Sequence, residues 1–338
     1  MGKHGMSTLV DTYGRTHRNL RVSLTDRCSL RCTYCMPHDF AAWLPNEELL
    51  STDELLTIIE VAVQQGIDEV RLTGGEPLLR PDIVEIVERI AGIENAPRLT
   101  LTTNGIRLPD LAGPLAKAGL NRINVSLDTL SRERFKTLTY RDRFDDVILG
   151  LKAANAAGLF PIKVNAVLLK DINDDEAPAI LEWALENEYS LRFIEQMPLD
   201  AGGIWDRATL ITADEIYAAL STRYTLTPVD NRGSSPAEEF YINGSSATVG
   251  IIGSVTRPFC GACDRIRLTS DGQLRSCLFS NVETDLRRVL RDESLNSATK
   301  KQEIAARFQK TVISKLPGHG INDPTFIAPI RPMSAIGG

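Results

Sequence analysis

Six cysteines occur in this chain of 338 residues, and they stand in two groups of three: Cys28, Cys32 and Cys35, then Cys260, Cys263 and Cys277. No other feature restricts the fold as tightly, because each group has to be brought to one point. Three thiols cannot pair off among themselves, so disulfide stapling does not account for them. The first group, Cys28-Ser-Leu-Arg-Cys32-Thr-Tyr-Cys35, is a C-x3-C-x2-C loop, and the second is C-x2-C-x13-C. Thiolates this close suit an iron–sulfur cluster or zinc. A zinc site normally takes four ligands, which His38 could complete in the first group and His319 or a carboxylate in the second. A cubane held by three cysteines instead keeps one iron open to a small molecule. The remaining alternative, ordinary core thiols, fits the spacing poorly.

Composition excludes several classes. A chain that is 43% hydrophobic and 24% charged is a folded globular protein, long enough for one large domain plus a smaller one. No apolar run approaches the ~20 residues of a membrane helix, and Met1–Thr12 lacks the apolar core of a secretory signal, so a cytoplasmic protein is expected. The formal charge of −6 argues against non-specific nucleic-acid binding but leaves room for a local cationic pocket.

The body of the chain reads as strand-then-helix units. Candidate strands are Arg21–Leu24, Glu69–Leu72, Leu99–Thr102, Arg122–Leu127, Ile162–Val167 and Leu191–Ile194. Ser51-Thr-Asp-Glu54 is a capping box opening a helix that stops at Gly66. Pro81 suits the first position of a helix over Ile83–Ile90, and a further helix runs from Phe144 to Ala157 and ends at Gly158. Six strands, each followed by one crossover helix, imply a parallel α/β sheet whose buried strands should be nearly all apolar. A partial (βα)6 TIM-type barrel fits better than a doubly wound sheet, because polar motifs follow the strands: Thr25-Asp-Arg-Cys28, Thr73-Gly-Gly-Glu-Pro77, Thr102-Thr-Asn-Gly105, Ser126-Leu-Asp128 and Glu195-Gln-Met197. A Gly, Ser and Pro-rich stretch at Asn231–Glu239 marks the boundary between residues 1–228 and a smaller C-terminal region, 229–338. Inside the second cysteine group, Arg265 and Arg267 project to one side of an extended segment, a receptor for an oxyanion or phosphate.

The C-x3-C-x2-C loop after the first strand, with Tyr34 before its last cysteine, resembles the radical S-adenosylmethionine superfamily. Thr73-Gly-Gly-Glu-Pro77 is similar to the GGEP motif of that superfamily, in which backbone and Glu receive the amine of S-adenosylmethionine; glycine there would permit close backbone approach. Within the superfamily the chain resembles the family of GTP cyclases that opens molybdenum cofactor biosynthesis. The resemblance spans nearly the whole chain. It includes Asp11, Gly14 and Arg15, the Leu20-Arg-Val-Ser-Leu-Thr-Asp-Arg-Cys28 lead-in, Met36-Pro37, Phe193 to Asp200, Phe259-Cys260 through Cys277-Leu-Phe279, and the tail Arg331-Pro-Met-Ser-Ala-Ile-Gly-Gly338. Ser29 and Gln196 depart from the family pattern at positions that hold no ligand.

The resemblance implies two [4Fe-4S] clusters, one on Cys28, Cys32 and Cys35 and one on Cys260, Cys263 and Cys277. It implies S-adenosylmethionine against Tyr34, Gly75, Ser126 and Met197, and GTP against Arg21, Arg71, Thr102, Lys163, Arg265 and Arg267, with the double-glycine tail inserted into the site. Lys163 could instead extend outward from its strand. Further implied partners are a flavodoxin or ferredoxin as electron donor, the downstream cyclic pyranopterin monophosphate synthase, and a second copy as homodimer. No acid–base pair or nucleophile is expected: of the 4 histidines none follows a strand, and His4 and His17 lie in the N-terminal arm. Two rival readings are a radical enzyme acting on a peptide and a non-catalytic cluster-binding sensor.

Overall fold

The computed structural model describes residues 8–36, 43–199, 203 and 205–337. His4, Pro37, His38, Asp200 and Gly338 lie outside the described residues. The fold is mixed α/β around one twelve-stranded sheet. Its first six strands are β1 (Asn19–Ser23), β2 (Glu69–Thr73), β3 (Arg98–Thr103), β4 (Arg122–Ser126), β5 (Lys163–Val167) and β6 (Ser190–Ile194), paired in parallel in that order. The later strands β7 (Leu226–Pro228), β8 (Glu238–Ile242) and β9 (Thr248–Ile252) extend the sheet beyond β6, with β9 parallel to it. On the other flank β10 (Arg265–Leu268) pairs in parallel with β1, followed outward by β11 (Gln273–Arg275) and β12 (Thr284–Asp285). Residues 229–338 thus add strands to both flanks of the same sheet, and position 228 is the last residue of β7.

The crossover helices are α1 (Thr52–Gln64), α2 (Ile83–Ala91), α3 (Leu108–Lys117), α4 (Arg132–Thr139), α5 (Phe144–Ala156) and α6 (Ala177–Glu186). Two helices, not one, join β4 to β5. The capping box at Ser51 forms in full, and Gly66 closes the helix with φ +96°. Asp82 occupies the cap of α2, so Pro81 stands before the helix and not at its first position. Four helices follow: α7 (Ala213–Ser221), α8 (Arg287–Leu290), α9 (Ser297–Ile313) and α10 (Met333–Ile336). The stripe Ile304, Phe308 and Val312 of α9 is fully buried at helical spacing, and α9 packs on α1.

The strands are not nearly all apolar. In each, alternate residues are apolar and fully buried, as Leu20 and Val22 are in β1, Val70 and Leu72 in β2, Ile123 and Val125 in β4, and Val164 and Ala166 in β5. The residues between them are Arg21, Arg71, Thr100 and Thr102, Asn124, Lys163 and Asn165, and Arg192. Helices cover one face; the other is lined with hydrogen-bonding groups. A sheet with one face on helices and the other on polar groups keeps the period of two that a sheet buried in apolar surroundings on both faces loses.

The N-terminal arm is built into the body. His17 is fully buried, and its Nε2 lies 3.1 Å from Asp11 Oδ2, which also accepts from Arg15 Nε at 2.6 Å. Burial, with the nearby Lys315 and Arg15 charges, holds His17 down at about 4 against the Asp11 contact. Asp11 sits at about 2: burial opposes ionisation, and hydrogen bonds from His17, Arg15 and Tyr13 outweigh it. Between pH 6.5 and 4 the unfolded chain therefore binds a proton at His17 that the folded chain does not, and the His17 contribution to stability falls as pH drops through that window. That contribution is of the order of 3 kcal/mol. Buried Glu76 and Asp128, both raised to about 6, titrate in the same window with the opposite sign, so the His17 part is read as the difference between urea titrations of the parent and of His17→Gln, which should widen as pH rises from 4 to 6.5. The Asp11 contribution disappears only lower, between its ordinary value of 3.8 and about 2.

Candidate active site

One cavity opens at the carboxyl ends of the parallel strands, and all six cysteines line it. Tyr34, Gly75, Ser126, Met197, Arg21, Arg71, Thr102, Arg265 and Arg267 line it as well. Lys163 does not. It lies half-buried at the opposite, amino end of β5, where burial and the Arg192 and Arg122 charges bring it to about 7.

The first cysteine loop is stitched to the Gly-Gly turn after β2. Gly75 N donates to the Thr25 carbonyl and Glu76 N to the Arg27 carbonyl, each at 2.7 Å. A Cβ on Gly75 would lie 2.3 Å from Arg27 O and 2.4 Å from Asp26 O. The close approach that demands glycine is therefore to the backbone leading into Cys28, not to a ligand alone. Glu76 does not line the cavity. Its carboxylate accepts from Thr103 Oγ1 at 2.6 Å, Asn104 N at 2.7 Å and Leu78 N at 3.0 Å, while burial raises it to about 6. It braces the turn after β3 instead of facing the amine of a ligand. Tyr34 OH donates to buried Asp128 at 2.7 Å, and Asp128 also accepts from Val167 N at 2.9 Å.

The sulfurs of the first group suit an iron–sulfur cluster. Leu30 N donates to Cys28 Sγ at 3.4 Å, and the Asn104 amide lies 3.9 Å from the same sulfur. Amides aimed at sulfur accompany thiolate ligands. Burial pushes the Cys28 thiol up to about 11 and the Cys35 thiol to about 12, with Cys32 also driven well up. Three thiolates are held in such a place only when an electropositive centre binds them.

The second group sits on the short turn Cys260–Ala262 and on the loop after β11. Arg15 binds the first of these from the N-terminal arm, donating to the Cys260 carbonyl at 2.8 Å, Leu316 O at 2.7 Å and Pro317 O at 3.1 Å. Burial opposes ionisation of Cys263, but Arg265 and Lys315 overcome it and bring the thiol down to about 6. His319 lines the cavity without being free to ligate: its Nδ1 accepts from Ile321 N at 3.2 Å and its ring also bonds the Ser254 backbone. Among the described residues no three His, Cys, Asp or Glu side chains converge on a single-ion position.

Register collects the arginines. Arg267 on β10, Arg21 on β1 and Arg71 on β2 are direct partners across parallel pairs and so share a face. Burial, then the Arg267, Arg71 and Arg265 charges, lowers Arg21 well below its ordinary value; Arg267 falls to about 9 and Arg71 to about 10. Glu69 answers one of them, at 3.0 Å from Arg71. Arg21 Nε and Arg265 Nη2 are buried donors with no hydrogen-bond partner. Dehydrated like charges with unused donors form a receptor for a polyanion. Arg192, Asn124 and Asn165 also line the cavity, and the sequence reading missed them. Their signal was the polar alternation along β4, β5 and β6. Opposite Arg192 stands Gly250, where a Cβ would lie 3.0 Å from Arg192 Cγ.

The tail is docked beside these groups. The Gly337 carbonyl accepts from Arg267 Nη1, and Ser334 N bonds Cys35. Gly337 has φ +86°, and a Cβ there would lie 2.9 Å from Thr73 Cγ2. Arg331 anchors the segment on Asp271 at 2.9 Å and Glu283 at 2.8 Å.

Comparison with known proteins agrees with this geometry. Residues 22–184 match the Radical SAM superfamily and residues 189–321 match Molybdenum Cofactor Synthesis C. In fold the chain is similar to Streptococcus suis SuiB, with TM-score 0.60 and 14% identity over 91% of this chain and 68% of that one. The likeness to the same protein bound to S-adenosylmethionine has TM-score 0.57 and 15% identity, over 85% and 69%. In sequence it is 55% identical over 339 residues to a GTP 3′,8-cyclase of Streptomyces coelicolor, covering 99% of this chain and 98% of that protein. It is 52% identical over 336 residues to one of Mycolicibacterium smegmatis, covering 98% and 92%. Given this identity across nearly the full length of both relatives, the chain belongs to the GTP 3′,8-cyclase family of the radical S-adenosylmethionine superfamily.

Proposed function

We propose that the protein converts GTP to (8S)-3′,8-cyclo-7,8-dihydroguanosine 5′-triphosphate, the first step of molybdenum cofactor biosynthesis. One observation carries this reading: both cysteine groups and five arginines, Arg21, Arg71, Arg192, Arg265 and Arg267, line one cavity. Cys28, Cys32 and Cys35 would hold a [4Fe-4S] cluster that keeps an iron open to S-adenosylmethionine, with Tyr34, Gly75, Ser126 and Met197 around the latter. Cys260, Cys263 and Cys277 would hold a second [4Fe-4S] cluster toward the guanine. Held on Cys28, Cys32 and Cys35, the cluster with S-adenosylmethionine would supply the one-electron hydrogen-abstracting chemistry that C3′ of the ribose requires.

The chain's own residues bind, orient and exclude water. Arg21, Arg71, Arg265 and Arg267 face a triphosphate of about four negative charges, and Thr102 stands on the same wall. Lys163, at the far end of β5 and outside the cavity lining, would act on the ligand only through the positive field it shares with these arginines. Gly337 closes the floor between Ser23 and Thr73. With β10 from one flank and β6 and β9 from the other lining a single cavity, the sheet is read as curled into a partial (βα)6 barrel. Residues 1–228 then supply the radical site, and 229–338 the second cluster and much of the GTP site. A flavodoxin or ferredoxin would deliver electrons, cyclic pyranopterin monophosphate synthase would consume the product, and a homodimer is the proposed assembly. Among the described residues no helix is long and apolar enough to cross a membrane, in keeping with work in the cytoplasm.

A thermal-shift titration tests the substrate assignment. GTP at about a hundred times its dissociation constant should add about 2.7 kcal/mol of stability. An unchanged melting temperature, as for a peptide-acting enzyme, would remove GTP from the reading.

A further inference from the structure

Just past the end of α9, Lys315 is buried, 4% exposed, and donates from Nζ to Cys263 Sγ at 3.4 Å and to the Arg265 carbonyl at 2.6 Å. Among the described residues it makes no ion pair with a carboxylate. The charged or titratable side chains that face it are Arg265 from β10, His17 from the N-terminal arm, and Cys263 and Cys277. A dehydrated ammonium with no counter-charge is costly. Of the groups that act on Lys315, only the cysteine sulfurs, with whatever they bind, carry negative charge. The lysine is also held in place, since Arg15 ties the next two residues, Leu316 and Pro317, to the Cys260 carbonyl.

We propose that Lys315 is a positioning residue that sets the reduction potential of the second iron–sulfur cluster. The inference rests on the two-cluster reading above. Three thiolates and a cubane core sum to about one negative charge when oxidised and about two when reduced. A fixed ammonium hydrogen-bonded to one of those sulfurs stabilises the more negative state and eases reduction. A lysine that only bridged α9 and β10 would leave the potential where it was.

The test is a potentiometric titration followed by electron paramagnetic resonance. It uses the iron-loaded protein, and the same protein with Cys28→Ala, Cys32→Ala and Cys35→Ala to isolate the second signal. Lys315→Met should lower the equilibrium constant for one-electron reduction at least tenfold, about 59 mV. Lys315→Arg, which keeps the charge, should stay within about threefold of the parent. A Lys315→Met protein with the parent's potential would overturn the proposal. Should that variant fail to fold or to take up iron, the parent labelled with 15N-lysine decides. A hyperfine coupling from one lysine nitrogen to the reduced second cluster is expected, and its absence would overturn the assignment. A parent that binds only about four irons per chain removes the second cluster, and the role of Lys315 with it.

Discussion

Gly75→Ala is expected to destabilise the protein by about 3 kcal/mol and to empty the first cysteine group while leaving the second filled. The added methyl would meet Arg27 O at 2.3 Å, Asp26 O at 2.4 Å and Arg27 C at 2.7 Å. All three are backbone atoms of the lead-in to Cys28, which cannot rotate away as a side chain would. Moving the loop breaks the 2.7 Å bonds from Gly75 N and Glu76 N that hold it. Iron after reconstitution should drop from about eight to about four per chain. Gly113→Ala is the control: nothing lies within 4 Å of its Cβ position in α3, so denaturant titration should show a neutral or slightly stabilised protein. Unchanged stability and full iron in Gly75→Ala would mean that the stitched turn does not organise the cysteine loop.

Arg267→Ala is expected to weaken GTP binding about 100-fold, some 2.7 kcal/mol. The same change should cost the ligand-free protein no more than about 1 kcal/mol. The two effects diverge because Arg267 is one of five arginines on the cavity wall. Burial first, and then its Arg265 and Arg275 neighbours, already press its charge down to about 9. Its removal relieves that repulsion and loses the bond to the Gly337 carbonyl. Arg267→Lys should recover little affinity, since an ammonium cannot reproduce the fork that serves the tail and a phosphate together. Calorimetry of GTP binding beside urea titration of the free protein separates the two quantities. Parent-like affinity in Arg267→Ala would take this arginine out of the anion receptor.

The sequence was most legible where chemistry fixes spacing or where local signals suffice. The cysteine triplets, the capping box at Ser51 and the six core strands are of that kind, and the structure brings both triplets into one cavity. Pro81 misled because the capping position went to Asp82. The pair of helices α4 and α5 was read as one crossover because Tyr140, left-handed at φ 53°, ends the first without a glycine. The expectation of apolar strands failed because Arg21, Arg71, Asn124 and Arg192, which line the cavity, occupy the alternate positions that a sheet buried on both faces fills with aliphatic side chains. Glu76 could not be placed from its motif, since only tertiary contacts show its carboxylate turned toward Thr103 and Asn104. Arg15 and Lys315 lie 300 residues apart in the chain and are linked to the second cysteine group only through folding.

The most direct test of the account is an anaerobic turnover with iron-reconstituted protein, a chemical reductant, S-adenosylmethionine and GTP, followed by mass spectrometry. A 3′,8-cyclised dihydro derivative of GTP formed in step with 5′-deoxyadenosine is the expected product. 5′-Deoxyadenosine accumulating while GTP remains unchanged would contradict the account.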